Sequence, residues 1–266
     1  MKKLERMRMP EVTASVREGD RVFVPLGATE QHGPHGPYCT DTLLATAACD
    51  RIAERIGGVV APAVPYGLSG DHHGFPGIPY LSIATFTGVI QDLAKSLVAG
   101  GFSSVVFVNG HYSNVMAISA AISEVGDQIP GDALVFGFNY WDTLEPEQLA
   151  EYISPATGLH ANVGETSATL AVDPDLVDMD SAVRELPEFP IPPTPSMVSS
   201  FLFTRSGMTR SVLDTGVWGD PTVATAEKGE VFLDQIAAAG SHFVETIEGL
   251  HRAYPRRSLE EYLKTH

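Results

Sequence analysis

Residues 21–58, RVFVPLGATEQHGPHGPYCTDTLLATAACDRIAERIGG, decide the fold class. They open on an apolar run, 21–26, whose β-branched and aromatic residues do not alternate with polar ones. A strand reads this way when both of its faces are covered. A polar segment rich in glycine and histidine follows. Residues 42–56 then carry apolar side chains at helical spacing, end on basic residues and stop at Gly57-Gly58, which predicts a helix with a defined end.

The same unit recurs along the chain. Runs 59–64 (VVAPAV), 104–108 (SVVFV) and 133–138 (ALVFGF) read as further strands, and 86–99 and 114–125 as further helices. Strands and helices alternating through short links predict an α/β fold: a three-layer α/β/α sandwich with a mostly parallel central sheet. Further on, 165–172 reads as a short helix and 186–196 (LPEFPIPPTPS) as a proline-rich extended arm. Residues 222–250 read as a long helix that Gly240 could break. No repeat, low-complexity tract or composition break divides the chain. Residues 1–266 therefore read as one domain, with any metal site within 21–180 and a C-terminal arm and helix over 181–266.

Composition narrows the class. Lys plus Arg total 17 against 33 Asp plus Glu, a formal charge of −16, which argues against nucleic acid or an anionic membrane as partner. With 44% apolar and 19% charged residues the chain is globular rather than disordered. Cys39 and Cys49 are too few for a disulfide framework or a cysteine zinc site, and they suit a reducing cytoplasm. No apolar run reaches the roughly 18 residues that span a bilayer. The opening MKKLERMRMPEV lacks the apolar stretch of a signal peptide.

The polar segments mark a site. GATEQHGPHGPYCTD, YGLSGDHHGFPG, NGHYSN and NYWD each follow the C-terminal end of an expected strand, the edge where open α/β sheets bind ligands. His32, His35, His72, His73, His111 and His160 all fall just after a strand or just before a helix. Glu30 and His32 are two apart and share one side of an extended segment. Asp41 follows at the start of the next helix. Carboxylates beside imidazoles suit Zn²⁺, Mn²⁺ or Fe²⁺, and two ions sharing a carboxylate is a common hydrolytic arrangement.

Blander readings compete residue by residue. Asp41 fits a helix N-cap, His111 a satisfied core group, Glu165 a first-turn partner of the helix dipole, and His72 with His73 a loop closure. Cys39 fits a small packing residue better than a nucleophile. Trp141 and Tyr140 fit core or pocket wall alike. No G-x-S-x-G, G-x-G-x-x-G or P-loop pattern occurs, so serine hydrolase, dinucleotide and nucleotide readings have no support.

Taken together, VPLGATEQHGPHGPYCTDTLLA, YGLSGDHHGFPG, VFVNGHYSN and HANVGETSA resemble the creatininase (creatinine amidohydrolase) family in order and spacing over about residues 19–180. The resemblance implies an α/β/α sandwich, commonly a hexamer, that hydrolyses amide C–N bonds of a small molecule with one or two divalent ions (Zn, Mn or Fe). It implies Glu30, His32, Asp41, His111 and Glu165 as metal ligands, Asp41 bridging, and His160 as the catalytic acid/base. It also implies Ser69, His72, Tyr112 and Trp141 as substrate contacts. Two departures stand out. Creatininase has a glutamate ligand where Ser113 stands here, and a second pocket tryptophan where Ala156 stands. A small cyclic amide or formamide other than creatinine is therefore the expected substrate. A lactone or cyclic ketone is the alternative within enzymes, and a metabolite-binding member that has lost catalysis is the alternative outside them.

Overall fold

Continuous apolar runs become strands covered on both sides. In a computed structural model, residues 1–188, 197, 200–201, 204–255 and 263–264 are described. Strands β1 (Lys2–Lys3), β2 (Val22–Leu26), β3 (Val59–Val60), β4 (Ser104–Asn109) and β5 (Leu134–Asn139) form one sheet in the order β1-β3-β2-β4-β5, every pair parallel. Between them run helices α1 (Met9–Glu18), α2 (Thr40–Ile56), α3 (Ile83–Ala99) and α4 (Val115–Val125). After β5 come α5 (Pro146–Tyr152), β6 (Gly158–His160), α6 (Val163–Val172), α7 (Met208–Val212), β7 (Trp218–Gly219) and α8 (Ala226–Ala253).

Strand periodicity sorts the core into two layers. Phe23, Val106 and Val108 pack with Leu44 and Ile52 of α2, Ala168 of α6, and Leu233 and Ile236 of α8. Their neighbours Val22, Val24, Val105 and Phe107 face the other way, onto Phe86 and Ile90 of α3 and Ala117 and Ala121 of α4. Successive strand side chains point to opposite faces, so a strand between two helix layers is apolar at every position. The three-layer α/β/α sandwich follows.

Four details differ from the sequence expectation. The run 59–64 keeps only Val59–Val60 as strand, with a lone bridge from Leu26 to Val64; Pro62 has no N–H to give a ladder. Lys2–Lys3 adds an unexpected edge strand, its lysines paired with Asp20 and Asp50. Charged residues blunt an edge strand against further pairing. Helix α8 begins at Ala226, where the Thr225 hydroxyl caps the Lys228 N–H at 3.2 Å, and it runs unbroken through Gly240. A Cβ there would lie 2.6 Å from Ile52 Cδ1, so Gly240 allows close packing of α8 on α2. Of the expected arm, residues 189–196 lie outside the described residues. No helix among the described residues is long and apolar enough to cross a membrane.

Candidate metal centre

Two glycines bring the start of α2 onto the strand ends. A Cβ on Gly27 would lie 2.2 Å from Thr42 Oγ1, and one on Gly110 would lie 2.3 Å from the Asp41 carbonyl oxygen. Any larger residue would push the first turn of α2 away. Asp41 sits inside that turn, one residue beyond its start, and Cys39 holds the N-cap position, so Asp41 is not the cap. Its carboxylate is buried and meets two imidazoles.

The other members arrive by similarly constrained turns. The loop carrying Glu30 and His32 is closed by hydrogen bonds from Glu30 N–H to the Tyr38 carbonyl (3.1 Å) and from Gly36 N–H to the His32 carbonyl (3.1 Å). Asn109 holds the turn after β4: its Nδ2 donates to the His111 carbonyl at 2.6 Å and its Oδ1 accepts from His111 N–H at 3.2 Å. Ala161, with φ +51°, turns the chain between His160 and Asn162. Asn162 then caps α6 by accepting from Glu165 N–H at 2.9 Å, which fixes Glu165 in the first turn.

The five residues converge on two groups that share Asp41. Glu30, Asp41 and His111 form one, and His32, Asp41 and Glu165 the other; within each, the ligand atoms lie within 4.8 Å of one another. Asp41 offers one oxygen to each side: Oδ1 is 3.3 Å from His32 Nε2 and Oδ2 is 3.3 Å from His111 Nδ1. His111 Nδ1 is also 3.3 Å from Glu30 Oε1. Two donors about 2.1 Å from one tetrahedral ion lie about 3.4 Å apart, so these separations are those of ligands around a metal. Among the described residues, Glu30 Oε2, His32 Nε2, Asp41 Oδ2 and Glu165 Oε2 are buried without a hydrogen-bond partner. Buried polar atoms are normally paired, and cations held by the two groups would account for these four exceptions in one place.

Electrostatics point the same way. Burial opposes charge on His32, yet Asp41, Glu165 and Glu30 outweigh it and raise the imidazole to about 9. His111 is likewise held well above its ordinary value, because Glu30 and Asp41 overcome its burial. Burial pushes Glu30 up, but His111 above all holds it well below the carboxylate range. Glu165 is raised to about 7, chiefly by burial. Without a metal, protons supply the positive charge these carboxylates attract; a divalent ion would displace them, since histidine ligands are neutral.

His160 lies beside the cluster, its ring 4.3 Å from that of His32 and 4.6 Å from that of His72. Its Nε2–H donates to the Gln31 carbonyl at 2.7 Å, which leaves Nδ1 as the free acceptor, 3.7 Å from Glu30 Oε1. Burial, together with His32 and His72, holds the ring well below its ordinary value and hence neutral. Gln31 Nε2 donates to His72 Nδ1 at 3.0 Å, so His72 turns its Nε2–H toward Glu30 at 3.5 Å and is a donor rather than a ligand.

A cavity of about 420 Å³ opens over the cluster. His72, Tyr112 and Trp141 line it; Ser69 is fully buried in the adjoining turn and is not among the lining residues. His35 and His73 stand apart. His35 pairs with Thr166 Oγ1 at 2.9 Å and is lowered to about 4 by burial and by His32; His73 packs against the Tyr80 ring. Leu149, Ile153, Leu159 and Trp218 make much of the remaining lining apolar, and Thr209 adds a buried hydroxyl with no hydrogen-bond partner among the described residues. Sequence reasoning missed Gln31, Asp71, Thr209 and Trp218. Only Gln31, between Glu30 and His32, and Asp71, in the histidine-bearing loop, lay in segments already marked.

Known proteins resemble this chain in sequence and fold. The profile of the creatininase family, described as creatinine amidohydrolase, matches residues 5–244. Creatinine amidohydrolase of Pseudomonas putida is 36% identical over 248 residues, covering 84% of this chain and 88% of that protein. The mycofactocin precursor peptide peptidase of Mycolicibacterium smegmatis is 35% identical over 222 residues, covering 81% of each. A solved structure named Creatininase Mn superposes with a TM-score of 0.79 at 32% identity, covering 92% of this chain and 97% of that one.

Proposed function

The chain belongs to the creatininase family of metal-dependent amidohydrolases, and from that premise we propose that it hydrolyses the C–N bond of a small cyclic amide or formamide. The observation that carries this reading is the pair of buried ligand groups joined through Asp41, with four atoms among them that find no hydrogen-bond partner among the described residues. Glu30, Asp41 and His111 would hold one divalent ion and His32, Asp41 and Glu165 a second. When bound, such ions lower the pKa of water toward about 7 and stabilise charge on a carbonyl oxygen.

The chain's own residues supply the rest. His160 is neutral, and the Gln31 carbonyl fixes its Nε2–H, so Nδ1 is free to accept a proton from the attacking water. The same atom then gives that proton to the leaving nitrogen, which cannot depart as an amide anion. Trp141 and the apolar wall exclude bulk water from the reacting atoms.

One observation favours a second reading, an amide flanked by a larger apolar group. The cavity of about 420 Å³ lies within the roughly 300–1,000 Å³ that hold drug-sized ligands. Its wall is apolar, and a relative is a peptide peptidase. The test is a panel of lactams, cyclic ureas, formamides and short hydrophobic peptides, offered to Zn²⁺- or Mn²⁺-loaded protein with released amine as readout. Turnover of the first three classes supports the main reading, and turnover of peptides alone supports the second. Cleavage of lactones or cyclic ketones with no amide turned over would overturn both. Metabolite binding without any turnover would favour a member that has lost catalysis.

A further inference from the structure

Gln31 is buried between Glu30 and His32, and its amide has a single hydrogen-bonded orientation. Its Oε1 accepts from Gly33 N–H at 2.8 Å, and its Nε2 donates to the Gly216 carbonyl at 3.1 Å. Exchanging the two ends would set N–H against N–H and C=O against C=O. The second Nε2 hydrogen goes to His72 Nδ1 at 3.0 Å. His160 Nε2 is also near, at 3.2 Å, but it gives its own hydrogen to the Gln31 carbonyl and cannot accept. One residue therefore sets which nitrogen carries the hydrogen on both cavity histidines, His160 through its carbonyl and His72 through its amide. The His72 Nε2–H is left facing Glu30 Oε1 at 3.5 Å and Asp71 Oδ2 at 3.6 Å, both long for a hydrogen bond.

The amide is braced by a loop 185 residues further along the chain. Gly216, with φ +86°, lies so close that a Cβ there would be 2.0 Å from Gln31 Oε1, and a Cβ on Gly33 would be 2.4 Å from Val217 Cγ2. The two turns interlock only as glycines. The Glu185 carboxylate holds the loop from outside, accepting from Asp214 N–H at 2.7 Å and Thr215 N–H at 2.9 Å. We propose that Gln31, braced by Gly216, is a positioning residue: its amide keeps the hydrogen of His72 on Nε2, so that a donor stands beside the acceptor Nδ1 of His160. The two rings lie 4.6 Å apart, centre to centre. Such a pair suits an amide, whose oxygen gains negative charge and whose nitrogen must gain a proton. The role in hydrolysis rests on the function proposed above; the placement of the hydrogen does not.

The test compares wild type, Gln31→Met and Gly216→Ala, all loaded with Zn²⁺ at one pH, with circular dichroism reporting the fold. Gly19→Ala is the control, because Gly19 also has a positive φ (+75°) but a Cβ there meets nothing within 4 Å. Long-range ¹⁵N–¹H spectra of the histidine rings show which nitrogen carries the hydrogen, with His72 assigned by its loss in His72→Gln. Wild type and Gly19→Ala should show Nε2–H at His72. Gln31→Met removes the amide and Gly216→Ala displaces it, so both should shift His72 toward Nδ1–H with ion content unchanged. For whichever amide of the panel is turned over, kcat in those two variants should fall by about 10- to 100-fold, the cost usual for losing a supporting hydrogen bond, with KM little changed. Nδ1–H at His72 in the wild type, or Nε2–H retained in Gln31→Met, would overturn the inference. Ions lost from Gln31→Met would also overturn it, since Gln31 would then act on its ligand neighbours. So would an equal loss of kcat in Gly19→Ala, which would trace the effect to backbone strain. A panel with no amide turned over would overturn the hydrolase reading alone, because the ring spectra need no substrate.

Discussion

The two sides of the cavity are built in opposite ways. The ligand side takes Glu30, His32 and Asp41 from one strand–turn–helix unit and adds His111 and Glu165, each fixed within a residue or two of an element's end. The facing wall gathers Leu149, Ile153 and Leu159 from around α5 and β6, and Thr209 and Trp218 from some fifty residues later. Trp218 reaches its place because β7 pairs antiparallel with β6, setting it opposite His160. On the proposed reading the chemistry is anchored to the sheet edge, while the surface that would meet the rest of the substrate is carried by short, peripheral elements. One fold can keep its hydrolytic centre and change its substrate by altering that wall.

Substitutions can break this division. The largest effect is expected for Asp41→Asn. It removes the charge common to both ligand groups, and hydrolysis should fall by about 10³-fold or more as ions are lost. His160→Ala comes next: turnover should drop by about 10²- to 10⁴-fold with ion content retained. Because His160 also groups with Glu30 and His32, loss of an ion in that variant would move it to the ligand side. Leu149→Ala, on the wall, should leave ion content unchanged and raise KM for apolar amides by roughly tenfold, the cost of a missing apolar contact. Loss of metal there would show that the two sides are not separable.

The smallest expected effect is on pH dependence, and it reads the ligand side alone. His32 rises from its ordinary 6.5 to about 9 in the folded chain. The folded state therefore binds a proton more tightly than the unfolded one, and that stability is full below about 6.5 and lost as pH climbs through about 9. Glu165, raised to about 7, loses its share lower, between its ordinary 4.5 and about 7. Chelator-treated protein should melt at progressively lower temperature between pH 6.5 and 9. Protein saturated with Zn²⁺ should not follow that fall, because binding requires deprotonated ligands and adds stability as pH rises. A metal-free protein whose melting point is flat across that range would contradict the imidazole–carboxylate coupling.

The same division explains what could be read in advance. Strands 21–26, 104–108 and 133–138 were legible because burial on both faces leaves a continuous apolar run. Glu30, His32 and Asp41 were legible as a candidate set because they are local. His111 and Glu165 needed the sheet-edge rule and family resemblance to be joined to them. Asp71 was hidden beside two histidines that drew attention in its place, one of which, His73, is exposed. Trp218 and Thr209 carry no local signal at all: they meet the cavity only through tertiary pairing of β6 with β7 and packing of α7 on the turn Ser69–His72. The edge strand Lys2–Lys3 escaped notice because its register comes from backbone pairing with Val59 and Val60, not from apolar side chains.

The central claim is a two-ion centre joined through Asp41. Elemental analysis of the purified protein after equilibration with Zn²⁺ or Mn²⁺ and removal of free metal tests it most directly. The ligand geometry predicts about two ions per chain, falling to near none in Asp41→Asn. No more than one ion per chain in the wild type, or two ions retained in Asp41→Asn, would contradict it.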